Sequence, residues 1–155
     1  MKFHFLSSNN PEAKNTEKKL TELFGQNSVE DADYIIPIGG DGLLLKSLHN
    51  FNKLNKPFFG INFGSIGFLM NNLSNENLND MIANAKKSTF KPLKMTAQSV
   101  NNEIFEAYAY NEVSLMRQTH LASKIKIKIN EKVKMEELIC DGVLLSTSAG
   151  STAYN

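Results

Sequence analysis

A single carboxylate set among glycines, Gly39-Gly40-Asp41-Gly42, is the part of this chain best suited to chemistry. Glycine lets a backbone turn through positive φ and come close to a ligand. Backbone N–H groups in such a turn, and at the start of a helix leaving it, cradle phosphate. The lone acid can hold a metal or accept a proton from a hydroxyl. These are components for phosphoryl transfer, although the same four residues also make a plain connection.

Three further groups carry polar or small residues in patterns that suit a ligand. The first is Gly60-Ile61-Asn62-Phe63-Gly64-Ser65-Ile66-Gly67-Phe68-Leu69. Its glycine spacing departs from the dinucleotide fingerprint, and no Walker lysine follows its last glycine. Such a loop can lie against a flat ligand, with Phe68 either stacking on an aromatic base or simply packing in a core. The second is Asn111-Glu112, entered through Glu106-Ala107-Tyr108-Ala109-Tyr110. Neighbouring strand residues point to opposite faces, so both reach one ligand only if the strand ends or bulges there. An amide and a carboxylate at a strand end suit ribose hydroxyls or an amide; a polar strand cap is the alternative. The third runs from Asp141-Gly142 through Val143-Leu144-Leu145 to Ser146-Thr147-Ser148-Ala149-Gly150-Ser151-Thr152-Ala153-Tyr154-Asn155. Its small residues admit a ligand close to the backbone, and Ser151 or Thr152 is suited to cap a helix.

These groups need elements to position them. Phe3–Ser7 reads as a strand, and Asn10-Pro11 as the start of a helix that Gly25 ends. Asp33–Ile38 reads as a second strand that empties into the glycine turn. Leu44, Leu45, Leu48 and Phe51 mark a helix running to about Asn52. A third strand is predicted at Phe58–Asn62, and a further helix over Asn75–Lys87. Strand–helix alternation predicts a parallel sheet flanked by helices, with ligands at the carboxyl ends of its strands. Near residue 90 the pattern changes to apolar–polar alternation. Lys124-Ile125-Lys126-Ile127-Lys128-Ile129, the turn Asn130-Glu131 and Lys132-Val133-Lys134-Met135 read as a half-buried antiparallel hairpin with a solvated lysine face. The fold class is therefore an α/β domain over residues 1–90 with a parallel sheet and Gly-rich loops. The start of an all-β domain of β-sandwich type follows over 91–155.

The composition limits the functions open to the chain. Its 155 residues are 41% hydrophobic with a net charge of +1, which suits a globular protein and gives no global field toward nucleic acid or membrane. Arg117 is the only arginine, too few for a base-reading surface. Cys140 is alone, so an intrachain disulfide and a cysteine metal cluster are excluded, and a reducing, cytoplasmic setting fits. The first residues make too short an apolar run for a signal peptide, and no run approaches a membrane span. His4, His49 and His120 have no metal-site spacing.

In this order, the four groups resemble the NAD kinase family, from residue 33 to the last residue. The stretch Asn111-Glu112-Val113-Ser114-Leu115-Met116-Arg117-Gln118 further resembles the bacterial members. The resemblance implies a kinase that moves the γ-phosphate of ATP, or of polyphosphate, to the 2′-hydroxyl of the adenosine ribose of NAD, giving NADP. It implies a requirement for Mg²⁺, no protein metal ligands of its own, and a homodimer or homotetramer. It also implies the family architecture, an α/β domain followed by a β-sandwich. Residue by residue, Asp41 becomes the general base, and Gly39, Gly40 and Gly42 face the donor phosphates. Phe68 sits by the adenine, and Asn111 and Glu112 hold NAD by its ribose and adjoining groups. Asp141 faces the nicotinamide end. Ser151 belongs to the same binding run. Thr152, Ala153 and Tyr154 line the adenosine pocket, with a neighbouring subunit as a possible source.

Leu43 stands where many relatives carry a hydroxyl residue, and Ser148 where proline is common. Members of the family continue well beyond Asn155. The expectation is a chain truncated inside its C-terminal domain, poorly soluble or inactive unless the missing part is supplied. Two other readings remain: a lipid kinase of the Gly-Gly-Asp-Gly group, and a module that binds NAD or NADP without transferring phosphate.

Overall fold

The computed structural model describes residues 1–64, 67–74 and 77–152. The chain forms two compact units, Met1–Thr89 and Phe90–Asn155.

In the first unit, β1 (Phe3–Ser7), β2 (Tyr34–Gly39) and β3 (Ile61–Asn62) form a parallel sheet in the order β1-β2-β3. The first helix, α1 (Pro11–Phe24), starts as its residues dictate. The Asn10 side chain accepts the Glu12 N–H at 2.8 Å, and Pro11 fills the first helical position. Gly25, at φ 76°, stops it and returns its N–H to the Thr21 carbonyl. The second helix, α2 (Asp41–Phe51), begins on Asp41 itself, earlier than the leucine stripe suggests. The third, α3 (Leu78–Asn84), is shorter than the Asn75–Lys87 pattern predicts. Asn77 caps it by accepting the Asn79 N–H, and it ends at Ala85; Asn75 and Glu76 lie outside the described residues.

The third strand is also shorter than predicted, for a chemical reason. In β2, Ile35 donates to the Pro57 carbonyl and accepts from Phe59 N–H, so residues 35, 37 and 39 face β3. Pro37 has no N–H to give at the next rung. Phe58 therefore touches the sheet only as an isolated bridge to Ile35, and the ladder resumes at Ile38↔Ile61. Phe3, Phe5, Ile36, Ile38, Phe59 and Ile61 form the core with Ala13 and Leu20 of α1 and Leu78 and Ile82 of α3. Each large side chain so enclosed contributes roughly 1.5–3 kcal/mol. On the other face of β2, Ile35 is buried, as are Leu44 and Ser47 of α2. The sheet is thus covered on both faces, and α2 starts at the end of β2, where Asp41 sits.

The second unit is antiparallel throughout its described strands. Three two-stranded ladders form: β4 (Leu93–Gln98) with β5 (Ile104–Ala109), β6 (Glu112–Met116) with β9 (Gly142–Ser146), and β7 (Ser123–Ile129) with β8 (Lys132–Cys140). The β7–β8 hairpin turns on Asn130 and Glu131, at φ 50° and 63°, the paired left-handed conformation of a tight two-residue turn. Its lysine face is solvated and paired across the strands, Lys124 with Glu137 at 3.2 Å and Lys126 with Glu136 at 2.6 Å. Cys140 is half-buried at the end of β8. An α/β unit followed by antiparallel β-structure is the fold class the sequence predicts.

Candidate active site

In the first unit the glycine turn and the second glycine-rich loop meet at Asp41. Its carboxylate accepts two backbone N–H groups of that loop, Phe68 at 2.9 Å on Oδ2 and Leu69 at 3.2 Å on Oδ1. The negative charge also stands at the N-terminus of α2, where the helix dipole favours it. The carboxylate is thereby fixed in orientation at the carboxyl end of the central strand.

The loop that holds Asp41 is itself tied down. Phe63 N–H donates to the Gly39 carbonyl at 2.7 Å, and Asn10 Nδ2 donates to the Phe63 carbonyl at 3.1 Å. Asn71 gives both its N–H and its Nδ2–H to the Gly60 carbonyl, at 2.8 and 3.0 Å. Asn62 Oδ1 accepts Gly64 N–H at 2.9 Å. Met70 fills the place a Gly60 side chain would take, since a Cβ there would lie 2.2 Å from its sulfur. Asn62 and Asn71 are residues the motif reading passed over; their only sequence signal is that each is an asparagine at one root of a glycine-rich loop.

The glycines serve by size, not by conformation. Among the described glycines only Gly25 has positive φ, so the expected left-handed turn at 39–42 does not occur. Gly39 is enclosed: a Cβ there would meet Leu43 Cδ2 at 3.0 Å and Ser8 Cβ at 3.1 Å. Gly40 faces the Gly64 backbone, 4.0 Å from where its Cβ would be, and a Cβ on Gly42 would meet nothing. Gly42 therefore leaves open space beside Asp41. Phe68 is 74% exposed, which excludes the core reading and leaves a bare aromatic face next to the acid.

In the second unit the chain breaks between β5 and β6 at Tyr110-Asn111, meeting the condition for Asn111 and Glu112 to leave strict alternation. Antiparallel pairing sets Glu112 opposite Ser146. Thr147, just past β9, gives its N–H to the Asn111 carbonyl at 2.7 Å and its hydroxyl to the Tyr110 carbonyl at 2.6 Å. The same hydroxyl accepts Gly150 N–H at 3.0 Å. Thr147 thus caps the short 3-10 turn Gly150–Thr152, the task expected of Ser151 or Thr152. Ser151 instead lies within the turn, its Oγ donating to the Ser148 carbonyl at 2.9 Å. Gly150 packs so tightly on Asn111 that a Cβ would lie 2.3 Å from the Asn111 carbonyl oxygen. Thr147 was visible in the sequence only as one of several hydroxyl residues.

Around this junction two acceptors are buried without a partner among the described residues, Asn111 Oδ1 and Glu112 Oε2. Buried polar atoms are rarely left so, and an unfilled pair of acceptors suits a ligand that brings O–H or N–H donors. Asp141 occupies the corner between β8 and β9. Its Oδ1 accepts Arg117 Nε–H at 2.5 Å, its carbonyl accepts Arg117 N–H at 2.9 Å, and the Arg117 guanidinium also donates to the Thr119 carbonyl. Ala153 and Tyr154 lie outside the described residues. No three His, Cys, Asp or Glu side chains gather in a metal-holding group among the described residues. No helix there is long and apolar enough to cross a membrane.

A family model described as the ATP-NAD kinase N-terminal domain matches residues 1–88. Proteins named NAD kinase from Brucella suis and Rhizobium meliloti are 47% and 45% identical, over 98% and 97% of the chain. The chain spans 59% of the length of each. Among solved structures, an NAD kinase from Archaeoglobus fulgidus in complex with ATP superposes with a TM-score of 0.64 at 27% identity. That match covers 99% of this chain and 64% of the other.

Proposed function

The chain belongs to the NAD kinase family, and on that premise we propose that it carries out, or supplies the greater part of the site for, phosphorylation of NAD to NADP. The donor is ATP, as in the complex of the Archaeoglobus relative, with polyphosphate as a possible substitute. The oxygen of the adenosine 2′-hydroxyl forms a bond to the γ-phosphorus. The bond from that phosphorus to the β–γ bridging oxygen breaks, ADP departs, and the hydroxyl proton passes to the Asp41 carboxylate. The observation that carries this reading is the fixing of Asp41 by Phe68 N–H and Leu69 N–H at the head of α2. A general base must be held to its acceptor geometry, and such a group is worth roughly 10²–10⁴-fold in rate.

The other assignments follow the chemistry of the donors and acceptors. Gly40 and Gly42 keep the approach to the α2 terminus clear for phosphate, and Gly39 lets the turn close on Leu43. Phe68 offers its exposed ring to the adenine. The partnerless acceptors of Asn111 and Glu112 suit the hydroxyls of a ribose. Asp141, held on one oxygen by Arg117, retains Oδ2 for a carboxamide N–H at the nicotinamide end. Ser151 belongs to the same binding run as Thr152, Ala153 and Tyr154, which line the adenosine pocket of a neighbouring subunit in a homodimer or homotetramer.

Mg²⁺ usually binds through substrate phosphates and one or two carboxylates. When bound it neutralises charge on the phosphates. In this reading residues 1–90 are the nucleotide-binding domain, residues 91–155 belong to the NAD-binding β-domain, and the enzyme works in the cytoplasm.

The test is a coupled assay of NADP formation from NAD with ATP, and separately with polyphosphate, on the chain and on a version extended to the length of its relatives. NADP formation that needs Asp41 is the expected result. NAD binding with no NADP from either version would replace the kinase reading with a binding module.

A further inference from the structure

The acceptors proposed to take NAD are presented by a junction that one residue ties together. Thr147 N–H and Oγ1–H occupy the carbonyls of Asn111 and Tyr110. Its Oγ1 accepts from Gly150 N–H and its carbonyl accepts from Ser151 N–H at 3.0 Å. The Asn111 carbonyl is thus bound to Thr147 and covered by Gly150. The side-chain oxygens Asn111 Oδ1 and Glu112 Oε2 are buried with no partner among the described residues.

We propose that Thr147 is the positioning residue of the NAD-binding segment, its hydroxyl bridging Tyr110 and Gly150 so that Asn111 and Glu112 are held with free acceptors beside the Gly150–Thr152 turn. The inference rests on the proposed function. It asks for a hydroxyl specifically, because one atom both donates to a carbonyl and accepts an N–H. Valine has nearly the same shape and does neither, and serine does both.

The full chain is titrated with NAD by calorimetry. Thr147→Val weakens binding about tenfold or more, the usual consequence of leaving partly buried polar groups unmatched, whereas Thr147→Ser stays within about threefold. In an Asn111→Ala background, Thr147→Val weakens binding by clearly less than it does alone, because one of the two acceptors it positions has gone. Full additivity of the two substitutions would mean general support of the fold and would overturn the proposal.

Amide hydrogen exchange on the unsubstituted chain gives an independent reading that survives a valine variant that does not fold. The Gly150 amide is protected if Thr147 holds it, and an amide exchanging as fast as a free loop overturns the proposal. If the unsubstituted chain binds no NAD, the proposed function fails instead. Protection at Gly150, kept in Thr147→Ser, still decides whether Thr147 bridges the junction.

Discussion

In Met1–Thr89 the side chains of Phe3, Ile35, Ile36, Ile38 and Ile61 are wholly enclosed, whereas in Phe90–Asn155 Leu115, Met116, Leu144 and Leu145 stand more than half exposed. Gly150 is the one buried residue of the second unit among those described. The first unit carries its own cover, because each parallel connection brings a helix back over the sheet. The second has paired strands but no second layer over the described ones, and a two-stranded ladder encloses neither of its faces. The lesson concerns how each unit fixes a functional group. Asp41 is held at the rim of a packed sheet, while Asn111 and Glu112 are held by a net of hydrogen bonds through Thr147.

The largest expected effect separates the chemical step from binding. Asp41→Asn should lower turnover by about 10²–10⁴-fold while NAD affinity is kept, and Asn111→Ala should weaken NAD binding while the bound substrate still turns over. Steady-state kinetics with NAD titration reads both, and wild-type turnover by the Asp41 variant would strip that residue of its role. Next comes the packing contrast. Phe5→Ala should cost about 3–5 kcal/mol, and Leu145→Ala no more than about 0.5 kcal/mol, in denaturant unfolding of the isolated chain. An equal loss at Leu145 would mean that its face is covered in solution, and the contrast would fail.

A smaller pair sharpens the picture of the glycine turn. Gly39→Ala must displace Leu43 or Ser8 and should destabilise by about 1–3 kcal/mol. Gly42→Ala enters open space on a helix and should be neutral or stabilise by up to about 1 kcal/mol. Thermal melting of the two variants compares them directly.

The smallest effect belongs to the second unit. Lys94 hydrogen-bonds and attracts Glu106, at 2.7 Å, holding the Glu106 carboxyl below its usual range and the Lys94 ammonium above its own. Because the folded carboxyl is depressed, its contribution is present above the unfolded carboxylate range and is lost as pH falls through the folded value. Because the folded ammonium is raised, its contribution is complete below the unfolded lysine range and is lost as pH rises through the folded value. Glu106→Gln should thus lower the unfolding midpoint slightly at neutral pH and not in strong acid. A difference that persisted in acid would point to packing rather than charge.

Much of the first unit is legible from local signals. Asn10-Pro11 and Gly25 bracket a helix by capping chemistry, and the apolar run before the glycine turn reads as the strand that forms over Tyr34–Gly39. The hairpin at Asn130-Glu131 follows from strict alternation on both sides. Where expectation missed, a non-local partner decided. Phe58–Gly60 are not laddered because Pro37, on another strand, withholds a donor. The cap expected further along the run falls to Thr147, which also reaches the Tyr110 carbonyl.

The order and residue types of the motifs, and hence the family, were determined by the sequence alone, because a glycine, an acid or an asparagine keeps its chemistry wherever the chain carries it. The tertiary structure decided how that chemistry is presented. It brought Phe68 and Leu69 N–H to Asp41 across 27 and 28 residues, and the Thr147 hydroxyl to Tyr110 across 37. It showed that Gly39 and Gly150 are glycines for want of space. Such distances close only when strands pair and helices pack, and no local pattern encodes which atoms then meet.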